Sequence, residues 1–235
     1  MSHLEEERLF WDGFAEEYAE IQAESTTTIP QDVHDFLVAE NILPTNTFLD
    51  LAGGTGKYIP AIIANVNDYT LVDFSEKMLQ IAQDTHNYPR LQFLHCEQAV
   101  FLTQTKDNRY DVVFSAMNPA LTSKKILNEL LRIANKYVCI LRVIEEKDEL
   151  FSLFEQTPKE WKWMETYKEW LDGKYQTQLF SYTSSESISK EFFLTYFEMD
   201  FPYSQLQKIA DDLFQQNSEK LNRTTITFEL LIIEI

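Results

Sequence analysis

Three of the five glycines in this 235-residue chain, Gly53, Gly54 and Gly56, fall within four consecutive positions. They follow Phe48-Leu49-Asp50-Leu51-Ala52, a run suited to a buried strand, and precede Tyr58 to Val66, which patterns as a helix. Glycine admits positive φ and lets a bound group approach the backbone closely. A glycine cluster at a strand-to-helix junction therefore points to a ligand loop at the carboxyl end of the first strand of a doubly wound sheet. A single glycine would read as a tight turn; three, preceded by an acid, call for a ligand.

The rest of the chain repeats the same rhythm. Apolar runs at Thr47 to Leu51, Tyr69 to Asp73, Leu91 to His95, Tyr110 to Ala116 and Tyr137 to Val143 alternate with helical patterns at Tyr58 to Val66, Ser75 to Asp84 and Ser123 to Ala134. Near-continuous apolar strands mark a parallel sheet covered on both faces. Phe10, Trp11, Phe14 and Tyr18 form an aromatic stripe at helical spacing ahead of the first strand. After Val143 the pattern predicts an acidic, aromatic helical stretch over Glu145 to Gly173, a strand at Phe192 to Phe201 and a helix at Gln205 to Leu221. A terminal strand from Thr224 to Ile235 has apolar residues on both faces, so it should lie inside the sheet. The division expected is a single domain of α/β class with one core. Residues 1–46 form a helical cap, 47–144 a ligand-binding core, 145–187 a helical and aromatic insertion able to act as a lid, and 188–235 the closing strands and helix.

A dinucleotide fingerprint requires G-x-G-x-x-G or a terminal alanine. Counting from Gly54 the sixth residue is Ile59, and from Ala52 it is Lys57, so the spacing fails. The loop instead resembles the glycine motif of the class I S-adenosylmethionine-dependent methyltransferases, an acid followed after one residue by Gly-x-Gly-x-Gly. Asp50, Ala52, Gly54 and Gly56 match it, with Ala52 in place of the first glycine and Gly53 between. The wording Leu-Asp-Leu-Ala-Gly-Gly-Thr-Gly is similar to that of the ubiquinone and menaquinone biosynthesis methyltransferases. The resemblance covers about residues 10–143 and implies a doubly wound, mostly parallel seven-stranded sheet with an antiparallel last strand, binding S-adenosyl-L-methionine.

The resemblance assigns roles residue by residue. Asp73, ending Leu71-Val72-Asp73, would accept both ribose hydroxyls, as a carboxylate with two acceptor oxygens can. As a strand-end acid it is expected to be solvent-accessible and dispensable to the core. Ser75 would cap the next helix, and Phe74 and Met78 would pack on the adenine. Glu97 or Gln98 would read the adenine amino group, and Ala116 would line the amino-acid end of the cofactor. Trp11 and Tyr18 resemble an opening that covers cofactor or substrate in these enzymes. Asn118-Pro119-Ala120-Leu121 is similar to the tetrapeptide of amino-group nucleic-acid methyltransferases but lacks its second proline and its aromatic; Asn118 is a substrate contact or a strand-ending residue. No catalytic base stands out, and the scattered His34, His86 and His95 give no metal-ligand spacing.

Charge narrows the partner. With 38 acidic and 20 basic residues the net charge is −18, against what phosphate neutralisation requires. Nucleic acid and anionic membrane surfaces are disfavoured, and no apolar run reaches the roughly 20 residues of a membrane span. Two unclustered cysteines, Cys96 and Cys139, define neither a disulfide framework nor a zinc site. The expectation is a cytoplasmic enzyme methylating a small molecule by in-line displacement. A catalytically silent binder of the same cofactor, a protein methyltransferase and, less well, a nicotinamide oxidoreductase stay open as alternatives.

Overall fold

The computed structural model describes residues 3–235. Two helices open the chain, α1 (His3–Glu24) and α2 (Ile29–Ala39). There follow β1 (Thr45–Leu51), α3 (Ile59–Ile62), β2 (Val66–Asp73), α4 (Glu76–Thr85), β3 (Leu91–His95), α5 (Gln98–Gln104), β4 (Tyr110–Ala116), α6 (Lys124–Ile133) and β5 (Ala134–Asp148). The remainder is α7 (Trp163–Leu171), β6 (Gln176–Ser189), α8 (Lys190–Tyr196), α9 (Tyr203–Phe214) and β7 (Glu219–Glu234).

The seven strands form one sheet in the order β3-β2-β1-β4-β5-β7-β6. Parallel ladders join β2 to β3, β1 to β2, β1 to β4 and β4 to β5. β7 runs the opposite way: the Ile235 N–H, at its end, bonds the carbonyl of Lys136 near the start of β5 at 2.8 Å. As its two-sided apolar pattern requires, β7 lies between β5 and β6, with Leu230 and Leu231 fully buried.

The chain divides into two compact units. The first comprises residues 1–144, 160–180 and 228–235; the second comprises 145–159 and 181–227. In the first, Leu49, Leu51, Val113, Val138 and Ile140 of the sheet pack with Leu127, Leu130 and Ile133 of α6 and Met164 and Tyr167 of α7. Those α6 positions recur at three- and four-residue spacing, the stripe that seats a helix on a sheet. The second unit has its own aromatic centre of Phe151, Phe193, Phe197 and Phe214.

Several elements differ from the sequence expectation. Phe192 to Phe201 is not a strand: α8 and a following turn occupy it, because the Ser189 Oγ accepts the Phe192 N–H at 3.0 Å as a helix cap and Phe193 and Phe197 bury one turn apart. Residues 145–148 continue β5, and α7 is the only α-helix in the stretch read as helical. Gln176–Ser189, all but its last two residues in the segment read as an insertion, is the edge strand β6. The helix expected to reach Leu221 stops at Phe214, and Leu221 belongs to β7. The helix expected over Tyr58 to Val66 is shorter, since Val66 already begins β2.

Candidate active site

Strand order reverses between β1 and β4, and a doubly wound sheet opens a crevice at that point. Register brings the carboxyl ends together there: Leu51 pairs Val72, Asp73 pairs His95, and Asp50 pairs Phe114 near the end of β4. The resulting cavity, about 430 Å³, belongs wholly to the first unit. That volume falls within the range of small-molecule sites, about 300–1,000 Å³.

Each wall has a separate origin. Leu4, Glu7, Trp11 and Tyr18 come from α1, Leu51, Ala52 and Gly54 from β1 and its loop, and Val72, Asp73, Phe74 and Met78 from β2 and α4. Cys96, Glu97, Gln98 and Ala99 come from the end of β3 and the start of α5, and residues 116–120, together with Thr122 and Ile126, complete the wall beyond β4. The cavity thus gathers Trp11, Tyr18, Ala52, Gly54, Asp73, Phe74, Met78, Glu97, Gln98, Ala116 and Asn118, all singled out in the sequence. It does not gather Asp50, Gly53 or Gly56.

The three glycines serve three purposes. A Cβ on Gly53 would stand 2.6 Å from Leu71 Cγ and 2.9 Å from Asp50 Cγ, so this glycine lets the loop lie against β2. A Cβ on Gly56 would stand 2.5 Å from Ile59 Cδ1, so this one lets the loop turn into α3. Only Gly54, at φ +55°, turns its bare face to the cavity, with Tyr18 Cε1 and Met78 Sδ about 4 Å away. Ala52, in the place of the motif's first glycine, holds φ +59°, a left-handed conformation costly for a residue with a Cβ.

Beneath the loop, Asp50 is buried, with Oδ2 accepting the Tyr69 hydroxyl at 2.8 Å and Oδ1 without a partner. Burial pushes its carboxyl up to about 7 against the Tyr69 hydrogen bond, and the charge of Asp73 adds to the rise. Asp73 is not the solvent-accessible acid expected of a strand end; it is 7% exposed. Its two oxygens accept the N–H groups of Gly54 and Ser75, both at 2.9 Å, which ties the glycine loop to the start of α4. Burial raises its pKa, and those N–H groups oppose the rise.

Ser75 caps α4 as expected, accepting the Met78 N–H at 3.1 Å, and donates its own hydroxyl to Asp12 at 2.7 Å. Asp12 also accepts the Lys77 N–H, so an α1 carboxylate sits on the positive end of α4. Gln22 accepts the Thr55 hydroxyl at 2.8 Å, fastening the far end of α1 to the glycine loop. Tyr18 lies between these two ties, its hydroxyl pushed up by burial.

Across the cavity, Asn118 is 2% exposed and its amide is committed. Nδ2 donates to Gln98 Oε1 at 2.6 Å and to Ser115 Oγ at 2.9 Å, and Oδ1 accepts the Ala120 N–H at 2.9 Å. Gln98 Nε2 donates in turn to the Ala120 carbonyl at 3.2 Å. Behind this loop Arg142 Nη1 donates to the Asn118 carbonyl at 2.8 Å and to the Tyr167 hydroxyl at 3.2 Å, and that hydroxyl donates to the Leu121 carbonyl at 2.7 Å. Sequence reasoning missed Arg142, Asp12, Leu4 and Glu7. The last two had a signal, since they precede Trp11 by seven and four residues on one helical face.

Residues 43–200 match the family model described as a methyltransferase domain. No curated protein sequence matches the chain. Among solved structures, magnesium protoporphyrin IX methyltransferase of Synechocystis with bound S-adenosylmethionine is similar at a TM-score of 0.53 and 14% identity, over 98% of this chain and 97% of its own. A methyltransferase of Aquifex aeolicus dependent on the same cofactor gives a TM-score of 0.50 and 16% identity, over 88% and 94%. A candidate type II methyltransferase of Anaeromyxobacter dehalogenans gives 0.55 and 14%, over 87% and 96%. At these identities the structural likeness is one of fold. The family model spans more than half of the chain and takes in the glycine loop, Asp73 and the wall beyond β4: the chain belongs to the methyltransferase domain family.

Proposed function

We propose that this protein is an S-adenosylmethionine-dependent methyltransferase acting on a small-molecule acceptor. One observation carries the choice of cofactor. Three acids, Glu7, Asp73 and Glu97, line the cavity, and no Lys or Arg does so among the described residues. A cationic sulfonium suits that lining, whereas a pyrophosphate would meet only like charge.

The remaining residues fit the same group. Each Asp73 oxygen, already accepting one N–H, keeps lone-pair capacity for a vicinal hydroxyl. Phe74 and Met78 supply apolar wall for a purine, and Glu97 accepts from an exocyclic amine, because Gln98 is engaged with Asn118 and Ala120. Gly54 admits close approach to the loop. Asp50, Gly53 and Gly56 act from beneath by shaping that loop. Trp11 and Tyr18 close one side against water.

S-adenosylmethionine supplies an activated methyl group for in-line displacement, and the chain's part is alignment and exclusion of water. Asn118 contributes the shape of the acceptor wall, its polar atoms being bonded within the loop.

Titration calorimetry with S-adenosylmethionine, S-adenosylhomocysteine and NAD tests the cofactor; the first two should bind and NAD should not. Binding of NAD alone overturns the proposal. Formation of S-adenosylhomocysteine on incubation with small-molecule extracts separates an enzyme from a silent binder.

A further inference from the structure

Three consecutive residues of β5 hold the cavity wall beyond β4. The Leu141 carbonyl accepts the Met117 N–H at 2.8 Å, the Val143 N–H donates to Met117 Sδ at 3.2 Å, and between them Arg142 Nη1 donates to the Asn118 carbonyl at 2.8 Å. Met117 lines the cavity at φ +52°, a left-handed conformation in a residue with a Cβ. Such a conformation persists only where its surroundings fix it. Arg142 is 5% exposed and stands behind this wall, outside the cavity lining. No carboxylate lies within 4.0 Å of it among the described residues, and its Nε has no partner. A buried cation so placed costs stability, and an apolar side chain of similar volume should be neutral or stabilising there. The one other partner of Nη1 is the Tyr167 hydroxyl, at 3.2 Å, which donates to the Leu121 carbonyl at 2.7 Å. Both bonds therefore act on the turn over residues 117–121, and through Asn118 Nδ2 that turn holds Gln98 Oε1 at 2.6 Å, beside Glu97.

We infer that Arg142 is a positioning residue, which from behind fixes the 117–121 turn in the strained shape that the cofactor cavity requires before any ligand arrives. The inference rests on the methyl-transfer reading of that cavity. Arg142 acts on a backbone carbonyl, so it sets the path of the chain and touches no ligand. Without it Met117 relaxes toward ordinary backbone, and a cavity competent for only part of the time binds in proportion to that fraction. The left-handed cost released at Met117 corresponds to about tenfold.

Arg142→Met, Arg142→Lys and Tyr167→Phe are compared with the unaltered protein by urea unfolding, by calorimetry with S-adenosylhomocysteine and by backbone hydrogen exchange without ligand. Arg142→Met should keep or raise the urea midpoint. It should also speed exchange of the Ala120 and Thr122 N–H groups, whose bonds to Asn118 Oδ1 and the Ala120 carbonyl close the turn, by about tenfold. S-adenosylhomocysteine affinity should fall by about the same factor. Arg142→Lys, which keeps a cationic donor, should bring both back to within about threefold of the unaltered protein. Tyr167→Phe, which keeps the charge and frees only the Leu121 end, should weaken binding by less than Arg142→Met. A lowered midpoint or failure to fold in Arg142→Met makes the arginine a core residue and overturns the inference. Unchanged exchange or unchanged affinity in that variant does the same, as does an equal affinity loss in Arg142→Lys or Tyr167→Phe. If S-adenosylhomocysteine does not bind the unaltered protein, the methyl-transfer reading fails, while exchange in the free protein still decides whether Arg142 fixes the turn.

Discussion

Replacing Asp73 by alanine removes an acceptor that holds two backbone donors. The Gly54 and Ser75 N–H groups each lose a 2.9 Å bond to a carboxylate. Bonds to a charged group contribute about 1.5–3 kcal/mol each. Release of the buried charge, whose cost shows in the raised pKa, offsets part of the loss, leaving a net cost of about 2 kcal/mol. For a chain of this size that lowers the Tm without ligand by about 4–8 °C. Under the proposed function the same change removes two ribose contacts, and S-adenosylhomocysteine affinity falls by at least about a hundredfold. Scanning fluorimetry of the free protein and calorimetry with S-adenosylhomocysteine measure the two effects independently. An unchanged Tm refutes the argument that Asp73 fastens the loop to α4. Affinity within about threefold of the original refutes the ribose assignment, whatever the Tm does.

Two further predictions concern the same loop. Gly53→Ala forces a Cβ to within 3 Å of Leu71 and Asp50 and should destabilise the protein by about 1–3 kcal/mol through overpacking; Gly54→Val should also lose stability, by about 1–2 kcal/mol, because valine is strained at φ +55°, and should weaken S-adenosylhomocysteine by about a hundredfold or more, because its side chain enters the cavity between Tyr18 and Met78. S-adenosylhomocysteine affinity retained in folded Gly54→Val, or lost to the same extent in folded Gly53→Ala, would contradict this division of labour. Asp50, raised to about 7 by burial, favours the folded state when neutral, so stability should be lost as pH rises from about 4 through about 7. Asp50→Asn should flatten that dependence, worth up to about 4 kcal/mol, and parallel urea midpoints for the two proteins between pH 5 and pH 8 would show the reasoning to be wrong.

The parallel half of the fold was legible because its strands are apolar runs set off by turn residues, as at Tyr110–Ala116, where expected and observed bounds coincide. The edge strand Gln176–Ser189 was not, because it faces water along much of its length and carries Gln, Ser and Thr where a buried strand carries Val and Ile. α8 was misread because phenylalanines favour strands by propensity, and only the Ser189 cap and the packing of Phe193 on Phe214 decide for a helix. Within the site, Asp73 and Gly54 could be placed through the family resemblance carried by the glycine loop and by Leu71-Val72-Asp73. Gly53 and Gly56 read in the sequence as cofactor-binding residues like Gly54, whereas they lie outside the cavity lining; the distant Leu71 and His86, which crowd their missing Cβ positions, leave no mark in the loop's own sequence. Arg142 was invisible, because nothing in an apolar strand marks which residue will meet Asn118 and Tyr167 in space.

The two ties that fasten α1 also bear on how a molecule leaves the cavity. Anything held beneath Trp11 and Tyr18 departs past the Asn118 wall or waits for α1 to lift. Lifting breaks the Asp12 bond to Ser75 and the Gln22 bond to Thr55. At about 1 kcal/mol each, these bonds alone keep the raised state to roughly 3% of molecules. Weakening either tie should therefore quicken the escape of spent cofactor before it touches the chemistry, and in enzymes of this kind such an opening step often sets the turnover rate.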